Sequence, residues 1–145
     1  MSFEPQVVRI AVALMRTDDG AVITWNSNWE SFVLPMTKIG GARGETAEQA
    51  AVRALAEVVR VPCQVEPGKS SHEMRQLQLS DRDGEIKDYQ FVVVPVRFHP
   101  NFANVSIINR PMVLAPVEKL QSEEYQPMSS SVKPIIDECV ELGLV

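Results

Sequence analysis

Several things are scarce in this chain of 145 residues, and each scarcity closes a line of explanation. There are two cysteines, Cys63 and Cys139, too few for a secreted disulfide framework, and neither has a Cys or His partner at zinc-finger spacing. Reduced thiols in a cytoplasmic protein are expected. Positive charge is not in excess: the net charge is −5, which on average repels a phosphate backbone and disfavours nucleic acid as a partner. No apolar run approaches bilayer length, and Met1-Ser2-Phe3-Glu4-Pro5 carries no basic region leading into an apolar one, so neither a membrane span nor a secretory leader is expected. Internal repeats and low-complexity tracts are missing too, and 1–145 reads as a single domain.

What remains suits a packed globular domain, with 45% hydrophobic residues. Val7 to Met15 is almost wholly apolar or β-branched, the mark of a strand buried on both faces. Asp18-Asp19-Gly20 predicts a tight turn, with Ala21 to Trp25 returning antiparallel to the first strand. Asn26-Ser27-Asn28 is a second turn, followed by a short extended piece, Ser31 to Leu34.

Thr37 to Gly44 reads as a glycine-rich basic loop leading to a helix. Thr46 and Gln49 form a capping box, which sets the helix start at Ala47. Pro62 ends it near Arg60, because the residue before a proline avoids the helical region. Ala51, Ala54, Leu55, Val58 and Val59 follow one apolar stripe at helical spacing.

A short strand over Cys63 to Val65 comes next. Then Glu73 to Leu79 and Asp88 to Phe98 form a pair around the Asp81-Arg82-Asp83-Gly84 turn, with Pro95 hinting at an edge or bulge. After an irregular stretch containing Val105 to Ile108, Met112 to Val117 is the last strand. Ser129 to Ser131 offer caps for a closing helix in which Val132, Ile135, Ile136, Cys139 and Val140 make one apolar face, and Gly143 is its stop.

This order, together with residues 34–61, resembles the Nudix hydrolase superfamily. That family's box reads G-x5-E-x7-R-E-U-x-E-E-x-G-U, where U is a bulky apolar residue. Here Glu45, Arg53, Leu55, Glu57 and Val61 fall in register, Gly44 directly precedes Glu45, and Leu34-Pro35 resembles the family's lead-in. The first box glycine falls on Ile39, Ala54 and Val58 replace two acids, and Arg60 replaces the last glycine. The resemblance implies a Nudix-type α/β/α sandwich with a mixed β-sheet, in which Glu45 and Arg53 are structural and brace the loop against the helix.

Of the three box acids that the resemblance assigns to catalytic divalent ions, only Glu57 is present, as a candidate catalytic and metal-binding residue. Positions 54, 57 and 58 share a helical surface, so acids there would converge on one site, and Mg²⁺ demands a near-octahedral set of hard oxygens. Two methyl-bearing side chains cannot serve. Glu57 itself has an alternative role as a solvated acid paired with Arg53 or Arg60. Further ligands would have to come from Glu73, Asp83, Glu85, Asp88, Glu118, Glu123 or Glu124.

Two functions follow. The first is a non-catalytic Nudix-fold module that binds a nucleotide-like ligand or a protein partner and needs no cofactor. The second is a Mg²⁺- or Mn²⁺-dependent hydrolase cleaving a nucleoside diphosphate linked to another group. Lys38 and Arg43 are candidate phosphate contacts, and Trp25 and Trp29 are candidates for stacking on a base or for closing the rim of the core. The glycine loop fits neither a P-loop nor a dinucleotide fingerprint. His72 and His99 have no placed partner for base chemistry.

Overall fold

The computed structural model describes residues 6–40, 43–59, 62–79, 84–98 and 112–145. A mixed sheet holds β1 (Gln6–Leu14), β4 (Met36–Lys38), β5 (Cys63–Val65), β6 (His72–Leu79) and β7 (Ile86–Phe98). β1 and β7 are parallel neighbours at its centre, while β4 runs antiparallel to β1, and β5 and β6 both run antiparallel to β7. A second, antiparallel sheet has the order β3-β2-β8, from β2 (Gly20–Asn26), β3 (Ser31–Val33) and β8 (Met112–Pro116). The helices are α1 (Ala47–Val59), α2 (Val117–Gln121) and α3 (Val132–Glu141), none of them long and apolar enough to cross a membrane.

The double-sided burial expected of the first strand holds from Ala11 to Leu14, where it follows from strand alternation, whereas Val7 and Arg9 are exposed. Ala11 and Ala13 face α1 with Val92, Val94 and Val96, whereas Val12 and Leu14 face the opposite core with Phe91 and Val93. Alanines also line the helix side, at Ala50 and Ala51, so α1 approaches the sheet closely. The second core collects Ile23, Leu34, Leu120, Ile135, Ile136 and Cys139, and so joins both sheets to α2 and α3.

Two helix ends have the chemistry their sequences encode. At α1, the Gln49 amide donates to Thr46 Oγ1 at 3.1 Å and the Thr46 amide to Gln49 Oε1 at 2.9 Å, a complete capping box. At α3, Gly143 takes φ +71°, and the Leu144 amide donates to the Cys139 carbonyl at 2.8 Å, closing the last turn. The serines before α3 behave differently: Ser131 holds the N-cap position, but its hydroxyl pairs with that of Ser129 at 3.2 Å instead of capping.

The structure also departs from expectation. β1 and β2 do not form a hairpin ladder; a single bridge, Arg16 to Ala21, spans the turn before β2 enters the second sheet. Pairing there requires Gly20, since a Cβ at this position would stand 1.8 Å from the Ala115 carbonyl oxygen. The start of the glycine-rich loop is strand β4, and Val117 opens α2 rather than ending β8. Pro95 sits in the central strand β7, but where β6 pairing has stopped at Val93 and β5 pairing resumes at Val96. The expected turn at 81–83 and the apolar piece at 105–108 lie outside the described residues.

Candidate functional site

A small open hollow, with space of about 40 Å³, lies between the β2–β3 segment and one face of α1. Thr24, Asn26, Trp29 and Val33 line one side, Pro35 and Met36 another, and Ala54, Glu57 and Val58 the helix side. Strand alternation sends Thr24 and Asn26 into it and turns Trp25 away. Trp25 instead meets Phe32 edge to face, with ring centroids 5.0 Å apart. Trp29 is presented by a turn that Asn26 closes, its Oδ1 accepting from the amides of Asn28 at 2.9 Å and Trp29 at 3.1 Å.

The helix contributes by its spacing. Ala54 is 4% exposed and Val58 1%, so both are floor, whereas the Glu57 side chain is 47% exposed at the rim. Arg53, on the preceding turn, forms a two-bond fork to Glu45, Nε to Oε2 at 3.0 Å and Nη2 to Oε1 at 3.1 Å. Its other donations reach the Lys38 carbonyl at 3.2 Å, Thr37 Oγ1 at 3.3 Å and Glu57 Oε1 at 3.5 Å. The Gly40 amide donates to Glu45 Oε1 at 3.0 Å, so β4, the loop and α1 are tied together at one guanidinium. The hydrogen bond to Glu45 raises the Arg53 pKa further, and its charge is permanent.

The sequence candidates are therefore dispersed. Trp29 and Glu57 share the pocket; Trp25 lies on the other face of β2, and Lys38 and Arg43 are exposed and outside the lining. Thr24, Asn26, Val33 and Met36 carry no motif, Pro35 belongs to the Leu34-Pro35 lead-in, and none of the five was foreseen as a site residue. The signals were the alternation of β2 and the turn formed by Asn26.

The sequence matches no protein-family model and no curated protein. Solved structures do match. A MutT protein from Methanosarcina mazei Go1 aligns with a TM-score of 0.69 at 11% identity, over 98% of this chain and 99% of that one. The Nudix domain of Shewanella oneidensis NrtR, complexed with ADP ribose, aligns at 0.61 and 15% identity, over 99% and 91%. The Ap4A hydrolase of C. elegans aligns at 0.57 and 12% identity, over 97% and 100%. The architecture is thus of the α/β class with a mixed sheet, and in particular this chain has the Nudix fold.

The metal implied by the resemblance can be tested against the donors. Glu57 is the one carboxylate in the lining, beside the methyl groups of Ala54 and Val58. Glu45 is engaged by Arg53, and Asp88 is ion-paired with Arg75. Glu73, Glu85, Glu118, Glu123 and Glu124 are outside the lining, and Asp83 is outside the described residues. Among the described residues no three His, Cys, Asp or Glu side chains are grouped to hold an ion. A single carboxylate among the described residues is a poor anchor for Mg²⁺ or Mn²⁺, whose remaining oxygens would have to come from substrate phosphates and water.

Proposed function

We propose that this chain is a Nudix-fold binding module that holds a nucleotide-like ligand in the Trp29 pocket and does not hydrolyse it. The observation carrying this reading is the pair Ala54 and Val58, buried apolar side chains where the resemblance calls for ion-binding acids. Electrostatic neutralisation of a diphosphate and activation of water both need the ion that such acids anchor. The hollow brings polar groups of Thr24, Asn26 and Glu57 together with apolar side chains such as Trp29 and Met36. A Nudix domain complexed with ADP ribose among the structural neighbours supports a nucleotide-like ligand. On this reading residues 1–145 act as one cytoplasmic domain, and a protein partner is the other occupant to consider.

Calorimetric titration with ADP-ribose and nucleoside phosphates, beside a hydrolysis screen of the same compounds in Mg²⁺ and Mn²⁺, tests the proposal. Saturable binding without turnover is expected. Metal-dependent turnover abolished by Glu57→Gln would establish the hydrolase reading instead.

A further inference from the structure

We propose that two copies of this chain associate edge to edge, β6 pairing antiparallel with β6 of a second copy so that Glu73 of each stands opposite Arg75 of the other. This surface is separate from the Trp29 pocket, to whose lining β6 contributes no residue. Among the described residues β6 pairs with β7 alone, from His72 with Val93 to Leu79 with Ile86, so its other edge is a row of backbone donors and acceptors. Exposed edges are commonly guarded by proline, lysine or a bulge. His72-Glu73-Met74-Arg75-Gln76-Leu77-Gln78-Leu79 contains neither proline nor lysine, and its register with β7 skips no residue.

Strand alternation sends Met74 into the core below the sheet and puts Glu73, Arg75 and Leu77 on the side of α1. All three are exposed there, Leu77 at 67%, so this margin of the sheet lies beyond the cover of the helix. The two formal charges on it, Glu73 and Arg75, have opposite sign and stand two residues apart on one face, which makes the strand complementary to its own reverse.

The charges also choose the register. A two-fold axis through the sheet keeps the α1 side of both copies together, and odd residues then oppose odd residues. Glu73 opposite Glu73, or Arg75 opposite Arg75, brings like charges face to face, which destabilises a ladder. Leu77 opposite Leu77 or Arg75 gives neither charge a partner of opposite sign. Centring the pair on Met74 sets Glu73 opposite Arg75 twice, once on each side of the axis. Arg75 donates from Nη2 to Asp88 of its own chain, and its guanidinium has further donors to turn toward the second copy.

Sedimentation equilibrium of the full chain at low ionic strength should show monomer and dimer exchanging with a micromolar Kd, as a small interface gives, and added salt should weaken it. Glu73→Arg and Arg75→Glu should each weaken the dimer at least about tenfold, since each creates two like-charge contacts. Mixing the two variants, one of them fluorescently labelled, should restore association to within about threefold of the wild type, because a strand with both charges positive then meets one with both negative. Both changes are at exposed side chains, circular dichroism checks that the variants are folded, and recovery on mixing is something no folding defect produces. A wild type still monomeric at about 1 mM, a single variant that dimerises as tightly as the wild type, or variants that stay apart when mixed would each overturn the inference.

Discussion

Arg53 and Glu45 meet through two parallel hydrogen bonds of 3.0 and 3.1 Å, and the same carboxylate accepts the Gly40 amide. One guanidinium thereby fixes the loop before α1 to both the helix and β4. Lysine has no planar fork, so Arg53→Lys leaves part of a nearly buried carboxylate unpaired. Because Arg53 is 35% exposed, the expected loss is about 1–2 kcal/mol, below the cost of breaking a dry pair. Urea denaturation of Arg53→Lys, Glu45→Gln and the double variant should show a coupling of about 1 kcal/mol between the two positions.

Gly20 is set by close approach. Its missing Cβ would overlap the Ala115 carbonyl, a backbone atom that cannot swing aside, so Gly20→Ala must push β2 from β8. A loss of more than about 2 kcal/mol is expected, at the upper end of what overpacking costs. A denaturation midpoint equal to that of the wild type would refute the packing of these strands.

Much of the fold was legible because each local signal agreed with the tertiary result. Thr46 and Gln49 announced the start of α1, Gly143 the end of α3, and the apolar run of β1 its central place. What was not legible depends on contacts distant in sequence. The Asp18-Asp19-Gly20 turn looks like a hairpin, but β2 finds its partners in β3 and β8, which no local pattern encodes. β4 is three residues long and is held by β1, too short for periodicity to register. Of the site candidates, Glu57 and Trp29 reach the pocket and Lys38, Arg43 and Trp25 do not, because charge and aromaticity say nothing of which way a side chain faces.

The floor positions give a prediction about latent metal geometry. In Ala54→Glu with Val58→Glu, carboxylates at 54, 57 and 58 would repel one another, two of them at positions that are 4% and 1% exposed. In the presence of a chelator this variant should lose about 2–4 kcal/mol, and Mn²⁺ should return part of that loss. Thermal melts with chelator and with Mn²⁺ check it; a melt indifferent to Mn²⁺ would show that the three positions do not converge on an ion.

Cys63 gives a pH signature. Burial raises its thiol pKa from 9.0 to about 11, and the buried Cys139 thiol is likewise raised, to about 12. The folded state therefore holds protons that the unfolded chain has released, so stability is intact below pH 9.0 and falls as pH rises from there toward about 11. Iodoacetamide should modify Cys63 in the native protein slowly at pH 8, accelerating about tenfold per pH unit, while Cys139 reacts only on unfolding. Fast alkylation of Cys63 at pH 7 would contradict the burial of its sulfur.

The reading of this chain as a Nudix fold that binds without cleaving depends on the apolar pair at 54 and 58. Hydrolysis of ADP-ribose and nucleoside di- and triphosphates, followed by phosphate release in saturating Mg²⁺ and Mn²⁺ for the wild type and Glu57→Gln, tests it most directly. The account predicts background rates for both proteins, alongside saturable ligand binding by calorimetry. Metal-dependent turnover by the wild type that Glu57→Gln abolishes would contradict it.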